Sequence, residues 1–419
     1  MSARFAIARL GAQGDGVADT ERGQVYVPFT LPGEVVTAAL GGDDRAELIA
    51  VLEPSPQRVV PPCRHFGECG GCTLQHFEQA AYLAWKRDRL VSALARAGVE
   101  APVEATVPCP PASRRRVVLA ARPTERGVVL GYHRALSHKV IDIIECPIAE
   151  PAIGQSLDAL RRLAGLIGAA ARQTFALTVT RTDSGLDVAA TGSGPLAPAA
   201  RRAAADFAIS AGLARLAVDG DVVVEPRKPQ ILFGRVPVAP PPGGFVQAVA
   251  AAEDAMAALV VGHLAKARRV ADLFAGAGAF ALRLAATAEV RAVEADAASL
   301  AALDQGYRRA GGLRPIAVER RDLFRRPLTA KELAGLDGLV FDPPRAGAEE
   351  QSRQIARSDV PLVAAVSCNP VTLARDLALL TGGGYRVIRV VPVDQFLWSA
   401  HVEAVALLEK KPLRRASRR

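Results

Sequence analysis

The stretch Arg269-Val-Ala-Asp-Leu-Phe-Ala-Gly-Ala-Gly-Ala-Phe280 decides the fold of this 419-residue chain. Its apolar start predicts a buried strand, and Gly276 and Gly278 allow a tight turn into a helix. Further strands are predicted from VRAVEA, GLVFDP, PLVAAVS and YRVIRVV, with helical segments between them. This alternation indicates an α/β fold with a parallel, doubly wound sheet, whose ligands bind at the carboxyl ends of the strands.

Two further domains are predicted before this sheet. Residues 1–58 alternate short apolar runs with Gly and Pro turns, which is typical of a small β-barrel. Residues 59–240 mix strands and helices around a cysteine-rich segment and form a predicted central α+β domain, and residues 241–419 form the α/β domain. A helix near 79–97 presents Leu83, Leu90 and Leu94 on one face, and we expect it to pack on the last domain.

The charge of the chain favours a polyanionic partner. Lys and Arg outnumber Asp and Glu by 52 to 43, which suits a nucleic acid, although a generic basic surface explains the excess equally well. The tail at 410–419 carries six cations and no acid, and we expect it to be an arm that touches phosphates. With no signal peptide or membrane-spanning run recognisable, we expect a cytoplasmic monomer without an obligate protein partner.

A nucleotide-type cofactor is predicted at the glycine loop. Glu294 ends the next strand, where an acid can accept hydrogen bonds from ribose hydroxyls. The loop lacks the third glycine of the dinucleotide fingerprint, and Asp272 lies four residues before the first glycine, which favours S-adenosylmethionine over a nicotinamide cofactor. Asp322 follows a further strand and is placed to face the adenine, or alternatively caps a helix.

Catalytic groups are predicted at two neighbouring strand ends. Asp342 and Cys368 each follow an apolar strand, and a structural cysteine would more often be buried in mid-strand. Glu403, on the last strand, is a candidate base, with a surface carboxylate as the alternative. Such a set suits uracil: a thiolate that adds to C6 makes C5 nucleophilic, and a base then removes the C5 proton.

A second cluster of cysteines precedes the sheet. Cys63, Cys69 and Cys72 are spaced by five and two residues, and Cys146 provides a fourth thiol. Disulfides are rare in the cytosol, so metal binding is the better interpretation. The spacing alone leaves a zinc site and an iron–sulfur cluster equally open.

The ordered motifs resemble the RNA uracil-5-methyltransferases that carry an iron–sulfur cluster, specifically their 23S ribosomal RNA branch. The resemblance covers nearly the whole chain and rests on LGAQGDGVA, VPFTLPGEVV, CRHFGECGGCTLQH, FVQ, DLFAGAGAF, FDPPRAG, SCNP and HVEAVALL. It implies an N-terminal TRAM domain with an oligonucleotide-binding barrel and a C-terminal Rossmann-like class I methyltransferase. It also implies a four-iron, four-sulfur cluster held by Cys63, Cys69, Cys72 and Cys146.

The resemblance implies roles for individual residues. Cys368 becomes the nucleophile and Glu403 the base, and Phe245 would stack on the substrate base. The implied contacts of S-adenosylmethionine are Gln247, Phe274, Glu294, Asp322 and Asp342. Ala279 and Val249 depart from the family, which often has Asn at both places. Arg345 stands where RNA cytosine-5-methyltransferases carry a second cysteine, which narrows the base to uracil.

The RNA itself is expected to meet Arg114, Arg115 and Arg116, which open a strand and are candidates to grip phosphates or a flipped base. A solvated basic face is the alternative. Two other functions remain open: methylation of transfer RNA, and a non-catalytic ribosome-assembly factor whose transferase domain has degenerated, as Ala279 and Val249 would suggest.

Overall fold

The structure is a computed structural model that describes residues 2–42, 44–135, 137–171 and 173–410. Of the basic arm expected from the sequence, residues 411–419 lie outside the described residues. None of the helices within the described ranges is long and apolar enough to cross a membrane.

Two three-stranded antiparallel sheets form the start of the chain. Their strands are β1 (Ser2–Ala6), β2 (Arg9–Leu10), β3 (Gly16–Thr20), β4 (Gly23–Val27), β5 (Val35–Leu40) and β6 (Ala46–Glu53). The sheet orders are β1-β5-β6 and β2-β3-β4, and both sheets contribute to one small core that includes Phe5, Val27 and Val36. The oligonucleotide-binding barrel stays a prediction beyond this arrangement.

Helix α1 (Gln79–Arg96) connects the start of the chain to the last sheet. The Glu78 carboxylate caps it by accepting hydrogen bonds from the backbone N–H groups of Ala80 and Ala81. On its buried face, Leu90 and Leu94 belong to the hydrophobic core of the last sheet. This helix therefore contributes to the packing of a sheet that begins far downstream in the sequence.

A seven-stranded sheet with helices on one face occupies the middle of the chain. Its strands are β7 (Arg116–Thr124), β8 (Gly127–His133), β9 (Val140–Asp142), β10 (Phe175–Thr182), β11 (Gly185–Thr191), β12 (Arg215–Val218) and β13 (Asp221–Val224), in the order β13-β12-β11-β10-β7-β8-β9. The helices are α2 (Pro151–Gly154), α3 (Leu157–Ile167) and α4 (Pro198–Ser210). A two-stranded ribbon, β14 (Ile231–Phe233) and β15 (Val236–Val238), follows.

The last sheet confirms the α/β, doubly wound architecture. Its strands are β16 (Arg269–Leu273), β17 (Glu289–Glu294), β18 (Ile316–Arg320), β19 (Gly338–Phe341), β20 (Leu362–Ser367), β21 (Tyr385–Val393) and β22 (Glu403–Lys410), in the order β18-β17-β16-β19-β20-β22-β21. The helices are α5 (Ala250–His263), α6 (Ala281–Leu284), α7 (Ala297–Arg309), α8 (Glu349–Arg357) and α9 (Pro370–Gly382).

One strand departs from the expected all-parallel sheet. Strand β22 lies antiparallel between β20 and β21, with Ala404 opposite Ser367. The chain reverses after β21, so the amino end of β22 lies at the same edge as the carboxyl ends of the parallel strands. This reversal brings Glu403, the first residue of β22, next to the end of β20.

A buried ion pair joins α1 to the loop between β21 and β22. Lys86 donates to a carboxylate oxygen of Asp394 and, at 3.0 Å, to the carbonyl oxygen of Phe396. The hydroxyl of Tyr82 donates to the same Asp394 oxygen at 2.9 Å. Because all three polar side chains are buried, the Asp394 carboxylate depends on Lys86 and Tyr82 for its hydrogen bonds.

Replacing Lys86 should test how much this ion pair between α1 and the loop after β21 contributes to stability. Lys86→Met leaves the Asp394 carboxylate buried without its cation, so we expect the free energy of unfolding to fall by about 3–5 kcal/mol. Lys228→Met removes an exposed lysine and should change it by less than about 0.5 kcal/mol. Urea unfolding followed by circular dichroism measures both, and equal stabilities would show that the pair contributes nothing.

Candidate active site

A cavity of about 610 Å³ lies where the parallel strands of the last sheet end. This size is that of a small-molecule site. Its wall contains every residue that the sequence analysis assigned to catalysis or to the cofactor, together with the proposed base-stacking residue: Phe245, Gln247, Phe274, Glu294, Asp322, Asp342, Cys368 and Glu403. These side chains are far apart in sequence, and the sheet brings them to one edge.

The glycine loop after β16 has a strained backbone. Phe274 has a φ of 61°, in the left-handed region that few non-glycine residues occupy. Gly278 has a φ of 98°, and a side chain there would come within 2.8 Å of Leu303. Glycine at position 278 therefore lets the loop turn tightly beside Leu303, and the loop lines the cavity.

The Glu294 carboxylate is fixed by backbone donors. One oxygen accepts a hydrogen bond from the N–H of Gly276 at 2.9 Å, and the other accepts from Ala295 at 2.7 Å and Asp296 at 2.8 Å. This arrangement joins the end of β17 to the glycine loop after β16. The remaining acceptor sites can receive the two hydroxyls of a ribose.

Asp322 begins a turn after β18, and the described residues that directly follow it form no helix, so the helix-capping alternative does not apply. Its carboxylate accepts a hydrogen bond from the backbone N–H of Phe324 at 3.0 Å and from that of Arg325 at 3.3 Å. It also lines the cavity. Phe324, which the sequence analysis did not single out, lies in the same wall with its ring 5.5 Å from that of Phe274.

Two carboxyl groups lie deep in the cavity. Burial raises the pKa of Glu403, and the nearby Asp342 carboxylate raises it further. Burial also raises the pKa of Asp342, although a hydrogen bond from Gln247 opposes this effect. Both groups therefore hold protons more tightly than exposed carboxyls do, and a base with a raised pKa is matched to proton abstraction near neutral pH.

Two side-chain amides join these carboxyl groups. Nε2 of Gln395 donates to Oε1 of Gln247 at 2.7 Å and to Oε1 of Glu403 at 3.1 Å. Nε2 of Gln247 in turn donates to Asp342 at 3.1 Å. The sequence analysis missed Gln395 because it lies in the irregular segment between β21 and β22, and no spacing rule marks it.

Cys368 lies in the turn between β20 and α9, partly exposed to the cavity. Burial raises the pKa of its thiol to about 11, with smaller contributions from Glu403 and Asp342, and Arg345 opposes them. Burial therefore favours the protonated thiol, and additional positive charge in the cavity would favour the thiolate. Asn369 fixes the turn by accepting a hydrogen bond from the backbone N–H of Val371 at 3.1 Å.

The three consecutive arginines before and within β7 have different environments. Arg115 is buried and donates to Glu253 at 2.6 Å, so the expectation that it contacts RNA does not fit this structure. Its pairing with a residue far along the chain was not visible in the sequence. Arg114 is partly exposed and lies over the ring of Phe396, and Arg116 is partly buried and donates to a backbone carbonyl.

The four cysteines of the second cluster line a separate, small cavity. Burial raises the pKa of each thiol, to about 11 for Cys69 and about 12 for Cys72, and neighbouring cysteines raise these two further. Within the described ranges, no group of three or more His, Cys, Asp or Glu side chains is arranged to hold a metal ion. The four cysteines nevertheless line one cavity, and their soft sulfur atoms suit a positively charged metal group.

Comparisons with known proteins agree with this architecture. A family model described as tRNA (Uracil-5-)-methyltransferase matches residues 317–411. An uncharacterized RNA methyltransferase of Mesorhizobium japonicum is 61% identical over 99% of this chain and 100% of its own length. The 23S rRNA (uracil(1939)-C(5))-methyltransferase of Halomonas elongata is 35% identical, over 96% of this chain and 88% of that protein.

A solved structure shares the whole fold. The tRNA (uracil-54, C5)-methyltransferase of Pyrococcus abyssi, in complex with S-adenosyl-L-homocysteine, matches with a TM-score of 0.76. The match covers 97% of this chain and 99% of that chain, at 23% sequence identity. This match and the sheet order agree in fold, and the relatives define an RNA methyltransferase. The chain belongs to the RNA uracil-5-methyltransferase family.

The reactivity of Cys368 should report the charges around it. The thiolate is the nucleophile, so alkylation by iodoacetamide should accelerate as the pH rises through the alkaline range. At mildly alkaline pH, where Glu403 is ionised, Glu403→Gln should lower the thiol pKa and speed alkylation roughly threefold to tenfold, because one pKa unit changes the thiolate fraction tenfold.

Peptide mass spectrometry would follow Cys368 alone among the six cysteines. Glu409→Gln, at the exposed end of the same strand, is the matched control and should leave the rate unchanged. Equal rates in the Glu403→Gln variant and the native protein would show that the carboxylate does not influence the thiol.

Proposed function

We propose that this chain transfers a methyl group from S-adenosylmethionine to C5 of a specific uridine in 23S ribosomal RNA. The observation that carries the proposal is the convergence of Cys368, Asp342 and Glu403 on one cavity beside a glycine loop. The 35% identity to the 23S rRNA enzyme of Halomonas elongata supports the substrate class.

S-adenosylmethionine suits the cavity by shape and by charge. Glu294 offers acceptors for the ribose, and Phe274 and Asp322 line the same wall, where we assign them to the adenine. The wall is rich in carboxyl groups, which attract the positive charge of a sulfonium. The chain from Pyrococcus abyssi that shares this fold was solved with S-adenosyl-L-homocysteine, the product of the same cofactor.

The proposed reaction uses Cys368 as the nucleophile and Glu403 as the base. The Cys368 thiolate adds to C6 of the uracil, and the electron pair of the C5–C6 double bond moves toward the carbonyl oxygen. C5 then takes the methyl group, and the sulfonium becomes a neutral thioether. Glu403 accepts the proton from C5, the double bond re-forms, and the bond between C6 and sulfur breaks to release Cys368.

Base access requires an unpaired or extruded nucleotide, because C5 and C6 of a stacked, paired uracil cannot reach a thiol in a cavity. Phe245 is 68% exposed at the cavity wall, which suits stacking on the extruded base. Arg114 and Arg116 remain candidates for phosphate contacts. In the proposed arrangement, the N-terminal barrel at 1–58 and the central domain at 59–240 bind RNA around the methyltransferase domain at 241–419.

Cys63, Cys69, Cys72 and Cys146 are proposed to hold a four-iron, four-sulfur cluster. A single tetrahedral zinc ion is the competing occupant of four thiolates. The cluster would tie the loop at 63–72 to the segment after β9, and would shape an RNA-binding surface. Gly70 already joins this loop to β8 through a backbone hydrogen bond to His133 at 3.0 Å.

Transfer RNA is the second candidate substrate, because the matching family model is described as a tRNA enzyme. Mapping of 5-methyluridine in ribosomal and transfer RNA from a deletion strain discriminates the two and identifies the uridine. A non-catalytic assembly factor is the third reading, and equilibrium binding of S-adenosylmethionine would exclude it.

The nucleophile can be tested by trapping. Fluorine at C5 of the target uridine cannot be removed as a proton, so the native protein with S-adenosylmethionine should form a covalent complex with 5-fluorouridine RNA. Cys368→Ala should form none and should lose methylation completely. Cys109→Ala, a buried cysteine outside the cavity, is the matched control and should retain both. A methylating Cys368→Ala protein would end the proposal.

The cluster can be tested by metal analysis. Protein purified without oxygen should contain about four iron and four sulfide per chain, with the visible absorbance of an iron–sulfur chromophore. Cys72→Ser should lose most of the iron and unfold at a lower temperature, whereas Cys109→Ser should keep the iron. Stoichiometric zinc in place of iron in the native protein would refute the cluster.

A further inference from the structure

Gln395 occupies the centre of the catalytic cavity's hydrogen-bond network, and neither a motif nor the family resemblance assigned it a role. We propose that Gln395 is a positioning residue that holds Glu403 where it can take the proton from C5. This inference rests on the proposed function. It adds a residue that acts through the base, since Gln395 does not itself line the cavity wall.

The orientation of the Gln395 amide is set by its neighbours. An amide offers an acceptor at one end and donors at the other. The backbone N–H of Val249 donates to Oε1 of Gln395 at 3.5 Å, which leaves Nε2 directed toward Glu403 and Gln247. Gln247 accepts one of these hydrogen bonds, so its own Nε2 is directed toward Asp342.

Gln395 therefore donates an N–H hydrogen bond to Glu403, and Gln247 donates one to Asp342. A donor favours the ionised form of a carboxyl group, and burial favours the neutral form. Glu403 is 4% exposed, so without the donor from Gln395 burial would keep it protonated over a wider pH range. A protonated carboxyl group cannot accept the C5 proton, and the adduct would then persist.

The backbone on both sides of Gln395 is anchored by hydrogen bonds. Gln395 is 2% exposed and follows Asp394, which accepts hydrogen bonds from both Lys86 and Tyr82 of helix α1. The backbone carbonyl of Phe396, the next residue along, also accepts from Lys86. The residues on either side of Gln395 are thus anchored to a helix from the first half of the chain, which limits the positions that its side chain can adopt.

In the step that Gln395 supports, the C5 proton passes to a carboxylate oxygen of Glu403. The C5–H electron pair forms the C5–C6 double bond, and the bond between C6 and the Cys368 sulfur breaks. The products are 5-methyluracil, the free thiolate and a protonated Glu403. Addition of Cys368 and methyl transfer come earlier and need no proton acceptor at C5, so a fault at Gln395 should arrest the reaction at the methylated adduct.

The test compares two buried glutamines. Gln395→Met removes the donor at similar volume, and Gln351→Met is the matched control. Gln351 is 1% exposed and its side chain makes two hydrogen bonds with the backbone of Leu328, outside the network. Each variant is assayed with S-adenosylmethionine and natural uridine RNA for turnover, for cofactor affinity and for covalent complex on denaturing gels. Glu403→Gln provides the reference for loss of the base.

We expect Gln395→Met to lower turnover roughly 10-fold to 100-fold, part of the contribution of a general base, and to accumulate methylated adduct as Glu403→Gln does. The acid limb of its pH–rate profile should move to higher pH, because loss of a donor raises the pKa of Glu403. Cofactor affinity should stay within about threefold of the native value, because the variant loses hydrogen bonds outside the cavity wall and none to the cofactor itself. Gln351→Met should resemble the native protein.

Three results would overturn the inference: unchanged turnover, reduced turnover without adduct, or an equal loss in Gln351→Met. Failure of the underlying function has a different signature. In that case the native protein itself forms no methylated uridine and no complex with 5-fluorouridine RNA.

Discussion

A carboxyl group buried away from water needs hydrogen-bond donors or a positive charge if it is to ionise, and the cavity at the strand ends holds two of them side by side. Gln247 and Gln395 supply donors to Asp342 and Glu403. Burial, together with a smaller effect of the same two carboxylates, raises the pKa of Cys368. Carboxyl groups outnumber arginines in the wall of this cavity, and the positive charge of a sulfonium would complement them. The electrostatics of the protein alone therefore favour the proposed cofactor.

The antiparallel direction of β22 in the last sheet determines where Glu403 lies. Had β22 been parallel to its neighbours, its carboxyl end would lie at the cavity edge and Glu403 would lie at the opposite edge. The reversal after β21 instead places the first residue of β22 beside the turn that carries Cys368. It also creates the irregular segment that contains Gln395. The positions of Glu403 and Gln395 thus have one topological cause.

Much of the site was accessible from the sequence, because parallel strands end at a common edge. Phe274, Glu294, Asp342 and Cys368 follow apolar strands, so their meeting at one cavity follows from strand periodicity. Pairings between distant segments were not accessible in this way. The sequence predicted that Arg115 is a surface cation, because nothing in it indicates the ion pair with the buried Glu253.

The antiparallel strand and Gln395 were missed for a related reason. A short apolar run predicts a strand without predicting its direction, and a lone polar residue in a loop carries no periodic signal. Strand direction depends on how the connecting segment turns, and here Lys86 and Tyr82 hold that segment. The residues that hold this segment therefore lie some 300 positions away in the chain.

The anchoring of that segment has a consequence for the modularity of the protein. A fragment that starts at 241 would contain the whole doubly wound sheet, yet it would lack helix α1. It would expose the apolar surface that Leu90 and Leu94 cover, and would leave Asp394 without its cation. The methyltransferase domain at 241–419 is therefore not an independent folding unit. Grafting it onto another RNA-binding element would require α1 to travel with it.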